Sequence, residues 1–391
     1  MNFAMPPPRI YLDNAATSWP KPESVYQAVD DYQRRLGAPA GRGSYYEAAE
    51  TERLVASCRK RVSQLISSDD PRRIVFTLNG TDSLNLALHG CLRPGDHVVT
   101  TVCEHNSVLR PLRFLAEQRA VSTTYVPCDR TGVVDPDSVR RAITPHTRLV
   151  AIVHASNVTG AIQPVEAVGK IAAEQGVLFL VDAAQSLGYI PVDVTSLGCD
   201  LLAAPGHKGL LGPLGTGVLY LSERAAGEVL PLRQGGTGTR SDEDIQPASL
   251  PDRYESGNLN VPGIVGLEAG VKFLAEIGIE KSQAQMQVLT TRLLAGLVDV
   301  PGVTLYGPIA AAERVGVVSL NIEGNDPREL ASLLDANWSI QTRAGIHCAP
   351  RMHQALGTAP AGTLRFSVGH FTTAAETDRA IGAIREIAVV S

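Results

Sequence analysis

The sequence predicts an α/β protein in which a large domain, built on a mostly parallel β-sheet between helices, is followed by a smaller α+β domain. Short β-branched runs alternate with helical patterns from about residue 74 to residue 182, and this alternation is typical of βαβ units. The chain has 391 residues, which is long for a single core. The alternation ends after a loop rich in glycine, threonine, serine and aspartate at 235–247.

The elements of the large domain follow in order along the chain. Strands are predicted at 74–77, 97–102, 123–126, 148–155 and 177–182, with helices between them at 82–92, 107–118, 135–143 and 164–176. Two more apolar runs, at 200–205 and 217–221, flank a glycine-rich stretch and extend the same sheet. Ligands of such sheets bind at the carboxyl ends of the strands, so a site is expected there.

The smaller domain begins with a long helix at 261–278, which has Pro262 in its first turn. It continues with a helix near 281–298, a strand at 315–322, a helix at 326–337, a strand at 364–368 and a terminal helix. We therefore expect an N-terminal arm at 1–25 that contributes to the small domain, a large domain at 26–260, and a small domain at 261–391 that carries Cys348.

Composition and charge argue against several classes of protein. Hydrophobic residues make up 44% of the chain and charged residues 19%, as in ordinary globular proteins. The net charge is −5 and the basic runs are short, so nucleic-acid binding is not expected. No run reaches about 18 apolar residues and no signal-peptide pattern begins the chain, so neither membrane insertion nor export is expected. The six cysteines form no CxxC pair, which favours a reducing cytoplasm.

Lys208 and Asp182 are the first candidate site residues. Lys208 lies in a glycine-rich turn between two predicted strands. It is either a solvated cation or a desolvated amine that forms a Schiff base with a carbonyl. Asp182 ends the strand at 177–182, where it is either a helix N-cap or a carboxylate that keeps a pyridine nitrogen protonated. The second alternative for each residue suits pyridoxal 5′-phosphate, whose ring accepts electrons from a carbanion.

A phosphate site is expected in the stretch FTLNGTDSLNLAL, where a strand passes into a helix at Gly80 and Thr81. Backbone N–H groups, the Thr81 hydroxyl and the helix N-terminus would hold the phosphate dianion. Any turn from a strand into a helix has a similar pattern, so this interpretation depends on Asp182 and Lys208.

A set of motifs extends over almost the whole chain: IYLDNAAT at 10–17, NGTDSLNLA at 79–87, CEHNSVLRP at 103–111, HASNVTGAIQPV at 154–165, VDAAQS at 181–186, GHKGLLGPLGTG at 206–217, ESGNLNVPGIVGL at 255–267 and RAGIHCAP at 343–350. In content and order this set resembles the class V, fold-type I aminotransferase family, and within it the cysteine desulfurases. The resemblance implies pyridoxal 5′-phosphate as the cofactor, a seven-stranded type of sheet in the large domain, and a homodimer.

The resemblance also implies roles for residues that the pattern alone leaves ambiguous. His105 is similar to the histidine that stacks on the pyridine ring and moves protons. Asn157 and Gln185 are similar to residues that contact the phenolic oxygen of the cofactor, and Asn157 also lies near the substrate. His207 is similar to a phosphate ligand. Asn258 corresponds to a phosphate contact that comes from the partner subunit.

Cys348 lies in RAGIHCAP, which resembles the RxGxHCA loop that carries a persulfide-forming cysteine in desulfurases with a short active-site loop. A free cysteine that belongs to no recognisable motif is more often packed in the core. Here the glycine turn, Arg343 and His347 make surroundings that favour a thiolate. A third alternative, a metal site formed by His347, Cys348 and His353, matches no common zinc spacing.

Two arginines complete the predicted substrate site. The resemblance implies that Arg365 binds the substrate α-carboxylate and that Arg343 assists, and a planar guanidinium matches a carboxylate with two hydrogen bonds. Two positions depart from the family pattern: Ile346 replaces a second histidine, and Pro205 replaces a small polar residue near the phosphate.

The predicted activity is a pyridoxal phosphate-dependent cysteine desulfurase. It would convert L-cysteine to L-alanine, hold the sulfur on Cys348 as a persulfide and pass it to an acceptor protein or a small thiol. The alternatives are a selenocysteine lyase acting on L-selenocysteine, a pathway-specific C–S lyase of the same fold, and a noncatalytic sulfur-relay protein. The presence of Lys208, Asp182, His105 and Cys348 together argues against the last.

Overall fold

The structure, a computed structural model, describes residues 9–390. Its strands, in chain order, are β1 (Ile10–Tyr11), β2 (Ile74–Thr77), β3 (His97–Thr101), β4 (Ser122–Val126), β5 (Thr147–Val153), β6 (Leu178–Asp182), β7 (Leu201–Pro205), β8 (Gly217–Leu221), β9 (Val303–Tyr306), β10 (Val317–Ile322), β11 (Ile340–Gln341), β12 (Arg343–Gly345) and β13 (Thr363–Ser367). The first eight residues of the predicted arm lie outside the described part of the chain.

Helices alternate with these strands over most of the chain. They are α1 (Glu23–Asp31), α2 (Tyr46–Leu65), α3 (Gly80–Cys91), α4 (Asn106–Arg119), α5 (Pro136–Ala142), α6 (Val165–Glu174), α7 (Val194–Leu197), α8 (Glu223–Glu228), α9 (Val261–Ile277), α10 (Ile279–Leu297), α11 (Pro327–Trp338), α12 (Pro350–Ala355) and α13 (Ala374–Val390). No helix among residues 9–390 is long and apolar enough to cross a membrane.

The large sheet confirms the predicted α/β fold. Its seven strands have the order β2-β8-β7-β6-β5-β3-β4, and the five from β7 to β4 in this order pair in parallel. Strand β8 is antiparallel to both of its neighbours, because the stretch 206–216 that leads into it contains no crossover helix. This is the glycine-rich stretch that carries Lys208.

The large sheet is buried on both faces. All five residues of β6 are buried, and they alternate between two apolar clusters: Phe179 and Val181 pack in one cluster, and Leu178 and Leu180 pack in the other. Successive residues of a strand point to opposite faces, so each face of the sheet has its own core. This explains why the strands read as continuous apolar runs in the sequence.

A second, antiparallel sheet has the order β12-β13-β10-β9. Strand β12 pairs with β13 so that Arg343 lies opposite Arg365. Strand β1 pairs with β11 in parallel, with Ile10 opposite Ile340, which joins the start of the described chain to this part of the molecule. The two sheets match the predicted larger and smaller units in outline, and the bounds 1–25, 26–260 and 261–391 stay a prediction.

Candidate functional site

Most of the predicted site residues line one cavity of about 220 Å³. Strand β6 ends there at Asp182, and helices α3 and α4 begin beside it. Ligands of parallel sheets bind at this edge. The predicted residues that line the cavity are Gly80, Thr81, His105, Asn157, Asp182, Gln185, His207, Lys208, Arg343 and Arg365. The fold therefore brings together residues that lie far apart in the sequence.

Asp182 and Lys208 are the charged pair at the end of the sheet. Asp182 is 3% exposed, and its Oδ1 accepts a hydrogen bond from Ala184 N at 2.9 Å. Burial raises the pKa of Asp182, whereas this hydrogen bond and the Lys208 charge oppose the rise. Burial lowers the pKa of Lys208 to about 8, and the negative charge of Asp182 limits the decrease. Part of the Lys208 population is therefore uncharged near neutral pH, as a nucleophilic amine requires.

The start of helix α3 provides hydrogen-bond donors on another wall of the cavity. Asn79 caps this helix with its side chain, and the first N–H groups of a helix, here those of Gly80 and Thr81, have no acceptor within it. A Cβ at Gly80 would lie 3.0 Å from Cδ of Pro205, so glycine allows α3 to lie close to β7. The Thr81 hydroxyl lies 2.7 Å from Ser107 Oγ. These groups suit an anion.

His207 has an unused polar atom beside Lys208. Its Nδ1 is buried and has no hydrogen-bond partner among the described residues. Burial lowers the pKa of His207 to about 4, and the charges of Lys208 and Lys21 act in the same direction. The ring is therefore neutral at pH 7. A bound ligand would supply the partner that a buried ring nitrogen normally has.

His105 is held at the start of helix α4 by its own ring. Its Nδ1 accepts a hydrogen bond from Ser107 N at 3.1 Å. Burial lowers the pKa of His105 to about 4, with the positive charges of Lys208 and Arg343 acting in the same direction. The ring is therefore neutral at pH 7, and because Nδ1 accepts, the proton lies on Nε2. His105 thus offers one N–H donor, at a fixed place, to a ligand in the cavity.

Asn157 connects two parts of the site. Its Nδ2 donates a hydrogen bond to His347 O at 2.6 Å, and its backbone O accepts one from Arg365 Nη1 at 3.0 Å. Gln185, also buried, donates from Nε2 to Ala15 O at 2.9 Å. Asn157 therefore fixes the loop that carries Cys348 relative to the buried arginine.

Arg365 and Arg343 lie side by side because β12 and β13 pair in that register. Arg365 is fully buried. Its Nη2 donates to Asp13 Oδ1 at 2.7 Å, whereas its Nε has no partner among the described residues. A carboxylate that accepts a hydrogen bond from Nε would complete the donors of this side chain. The role of Arg365 in binding an anionic substrate stays a prediction.

Asp13 is the counterion that the sequence analysis missed. Its side chain is 20% exposed and that of Arg365 is 1% exposed. We expect Asp13→Asn to lower the free energy of unfolding by about 3 kcal/mol, because removing one partner leaves a buried charge uncompensated. The midpoint of urea unfolding measures this loss. The double variant Asp13→Asn/Arg365→Met should recover part of it, and an equal or larger loss in the double variant would contradict the explanation.

Cys348 lies on the turn between β12 and α12 and lines an adjoining cavity of about 520 Å³ together with His105. Its backbone has φ of +60°, and its carbonyl accepts a hydrogen bond from Asn106 N at 2.7 Å. Its side chain is half-buried, and Arg343 Nη2 lies 3.7 Å from its Sγ. The thiol therefore lies on a turn beside a cation and is not packed in the core, and its role as a nucleophile stays a prediction.

The sequence predicts that His347 helps to stabilise a thiolate at Cys348, but in the structure His347 carries no charge that could do so. His347 is 2% exposed, and its Nε2 lies 3.1 Å from Thr363 O. Burial lowers the pKa of His347 to about 2, so the ring is neutral. Arg343 is the cation that contacts the sulfur. The rings of His347 and His353 lie 5.7 Å apart, but among residues 9–390 no group of three potential ligands is placed to hold a metal ion.

Asn258 does not lie at the cavity of its own chain. It is exposed and lines a separate pocket with Leu78, Gly215 and Asn260. The predicted phosphate contact from Asn258 requires a second subunit, and it stays a prediction.

Glu104 is a buried carboxyl group that the sequence analysis quoted within a motif but gave no role. It is fully buried, and its Oε1 accepts hydrogen bonds from Thr101 Oγ1 at 2.6 Å and Val153 N at 3.2 Å. Burial raises the pKa of Glu104 to about 8, and the nearby charge of Asp182 adds to the rise. Glu104 is therefore mostly protonated at pH 7.

The protonation of Glu104 predicts a pH effect on stability. Between its unfolded pKa, about 4.3, and its folded pKa, about 8, the unfolded chain binds fewer protons than the folded protein, so stability falls by up to about 1.4 kcal/mol per pH unit. Glu104→Gln should remove this dependence. From pH 5 to pH 8 the wild type should therefore lose stability relative to the variant. Urea unfolding at several pH values measures this change in the difference between their free energies of unfolding. A difference that is constant with pH would contradict the assignment.

Comparisons with known proteins agree on one family. The family model "Aminotransferase class-V" matches residues 10–380. A "Probable cysteine desulfurase" from Methanothermobacter thermautotrophicus is 38% identical over 384 residues, which cover 97% of this chain and 94% of the relative. A "Cysteine desulfurase" from Haloferax volcanii is 33% identical over 96% of this chain and 89% of the relative.

A solved structure has the same fold. The apo structure of cysteine desulfurase from Thermococcus onnurineus NA1 superposes with a TM-score of 0.91 at 35% sequence identity, and the match covers 98% of this chain and 95% of that chain. Residues 10–380, which the family model matches, include the strands of both sheets and every predicted site residue. With its family match, its relatives and its fold in agreement, the chain belongs to the aminotransferase class-V family.

Proposed function

We propose that the protein is a pyridoxal phosphate-dependent cysteine desulfurase that converts L-cysteine to L-alanine and takes the sulfur onto Cys348 as a persulfide. The enzyme class predicted from the sequence is confirmed by relatives named as cysteine desulfurases, which align over nearly the full chain. One observation carries the detailed proposal. Cys348 is held on a rigid loop, 3.7 Å from Arg343, and this arginine also lines the cavity that contains Lys208 and Asp182.

The residues present fit pyridoxal 5′-phosphate. The helix N-terminus at Gly80 and Thr81 and the unpartnered Nδ1 of His207 would hold the phosphate. The buried carboxylate of Asp182 would pair with the ring nitrogen, and Lys208 would hold the aldehyde carbon. Asn157, Gln185 and His105 line the same cavity and would hold the phenolic oxygen and the ring face. When bound, the cofactor supplies a ring that accepts the electrons of a carbanion at the substrate α-carbon.

Lys208 and Asp182 would act on two different protons, the α-proton of the substrate and the proton at the ring nitrogen of the cofactor. Because burial lowers the pKa of Lys208 to about 8, its amine can take up the α-proton of the substrate and return a proton later, as a general base and acid near neutral pH does. Asp182 would stay ionised and hold one proton at the ring nitrogen. His105 would provide its Nε2–H as a hydrogen-bond donor, and would deliver a proton through this atom.

Arg365 and Arg343 would orient the substrate. The free Nε of Arg365 and its neighbouring amino group would bind the α-carboxylate, while Asp13 keeps the guanidinium in place from the other side. Because Arg343 also contacts Cys348, a substrate bound by the two arginines would lie beside the loop of Cys348. The Cys348 thiolate would then form a bond to the substrate sulfur as the substrate C–S bond breaks, which leaves a persulfide on Cys348 and gives alanine after protonation.

Two features of the proposal concern partners. Asn258 is exposed and does not line the cavity of its own chain, so its role as a phosphate contact requires a homodimer in which each subunit completes the site of the other. Cys348 is half-buried and lines a cavity formed mainly by residues of α3 and α4. A small thiol or the cysteine of an acceptor protein would reach the persulfide through this cavity.

Product analysis tests the proposed function. Purified protein loaded with pyridoxal 5′-phosphate is given L-cysteine and a thiol reductant, and alanine, sulfide and pyruvate are measured together. The proposal predicts equal amounts of alanine and sulfide and no pyruvate. Pyruvate with ammonia would support a C–S lyase instead, and activity with L-selenocysteine but not with L-cysteine would support a selenocysteine lyase.

A further inference from the structure

Cys103 and Cys128 lie next to each other, just beyond the ends of two paired strands. Strands β3 and β4 run in parallel with Thr101 opposite Val126, so each cysteine lies two residues past the last pair. Disulfides join residues whose Cα atoms lie about 4.4 to 6.8 Å apart. Cys103 belongs to a small apolar cluster and Cys128 packs against the same cluster, so the fold brings the two thiols together.

The two thiols differ in access and acidity. Cys103 is fully buried and Cys128 is half-buried. The Cys103 thiol lowers the pKa of Cys128 by hydrogen bonding to its thiolate, and the same contact and burial raise the pKa of Cys103. The thiolate is the reactive form of cysteine. Cys128 is thus the thiol that a small oxidant would reach first, and Cys103 is the partner that would resolve the product.

The pair also contacts the part of the site that carries Cys348. Cys103, Ala349 and Met352 belong to one small apolar cluster, and Cys128 packs against it. Cys128 Sγ lies 4.0 Å from Met352 Sδ. Ala349 directly follows Cys348, and Cys103 precedes His105 by two residues. A change in bonding between the two cysteines would therefore act on segments that position both His105 and Cys348.

We propose that Cys103 and Cys128 form a redox switch: a peroxide oxidises the pair to a disulfide, and this disulfide slows turnover at Cys348. The Cys128 thiolate attacks one peroxide oxygen, the O–O bond breaks, and a sulfenic acid and one hydroxide form. The Cys103 thiol then attacks the sulfenic sulfur, the S–S bond forms and water leaves. Two thiols lose two electrons, which reduce one hydrogen peroxide to two waters. Disulfides in reducing compartments are usually transient and of this regulatory kind.

Thiol counting tests the disulfide without reference to enzyme activity. The full-length Cys348→Ala protein keeps five of the six cysteines, and it is treated with hydrogen peroxide, denatured and titrated with a thiol reagent. We expect a loss of two thiols, a linked peptide pair containing Cys103 and Cys128 by mass spectrometry, and full recovery with dithiothreitol. In the additional variant Cys128→Ala the linked pair should be absent. No loss of thiols, or a bond between other cysteines, would overturn the switch.

The effect on turnover rests on the proposed function and needs a separate measurement. Wild type and Cys128→Ala, each with Cys348 intact, are exposed to the same peroxide dose and assayed for alanine formation from L-cysteine. Oxidation of Cys348 itself affects both proteins equally, so the switch predicts a larger loss in the wild type, which dithiothreitol reverses. Equal losses would overturn the regulatory effect. A lack of activity before oxidation would contradict the proposed function, and the thiol count would then decide the disulfide alone.

Discussion

Replacing Lys208 with alanine is expected to lower the rate of alanine formation from L-cysteine by at least about 10²-fold, because a positioned general acid–base group contributes roughly 10²- to 10⁴-fold. Lys208 is the amine beside Asp182 in the cavity, and burial lowers its pKa to about 8. In the variant neither the covalent link to the cofactor nor the proton transfer at the α-carbon has a substitute. Alanine release measured under saturating L-cysteine checks this prediction.

The matched control is Lys170→Ala. Lys170 is an exposed lysine on helix α6, and its removal takes away the same charge without touching the cavity. It should leave turnover and cofactor absorbance unchanged. If Lys208→Ala kept wild-type turnover, or if Lys170→Ala lost as much, the assignment of Lys208 as the catalytic amine would be wrong.

Replacing Cys348 with alanine should abolish sulfide production from L-cysteine while the absorbance of the bound cofactor is kept. Removing a catalytic nucleophile lowers turnover by several orders of magnitude in enzymes where it has been tested. The residues that would hold the cofactor, including Asp182 and Lys208, do not depend on the Cys348 side chain, so binding should survive. Spectra recorded with and without L-cysteine, together with a sulfide assay, separate the two effects.

Cys128→Ala is the matched control for this variant. Cys128 and Cys348 are the two half-buried cysteines among the described residues, so both substitutions remove an accessible thiol. Only the loss of Cys348 should stop sulfide production under reducing conditions. Equal activity of Cys348→Ala and wild type would mean that sulfur leaves directly from the cofactor-bound substrate, as in a C–S lyase.

The large domain was predictable because its signals are local. The buried strands of a parallel sheet read as apolar runs, and each is followed by a helical pattern, so most strands and helices agree with the prediction to within a few residues. The small sheet was predicted less completely. Strand β12 has three residues and β9 has four, too few to show a period, and β12 lies within the stretch that was predicted as a loop around Cys348.

Site residues could be predicted from the sequence where they lie at or just after the carboxyl end of a strand, because ligands of parallel sheets bind there. Asp182 ends β6 and Lys208 lies in the turn that follows β7, and these positions predict that both residues lie at the ligand edge of the sheet. The pairing of Arg365 with Asp13 joins residues 352 positions apart, and no local pattern predicts such a contact. His347 is likewise neutral because it is buried, and the neighbouring residues in RAGIHCAP do not predict this burial.

The central claim is that Cys348 carries the sulfur, and mass spectrometry of peptides from the reacted protein tests it most directly. The enzyme loaded with pyridoxal 5′-phosphate is mixed with L-cysteine in the absence of thiol reductant, quenched and digested. The account predicts that the peptide containing Cys348 gains the mass of one sulfur atom, and that dithiothreitol removes this gain. An unmodified Cys348 peptide in a sample that has formed alanine, or a gain confined to another cysteine, would contradict the account.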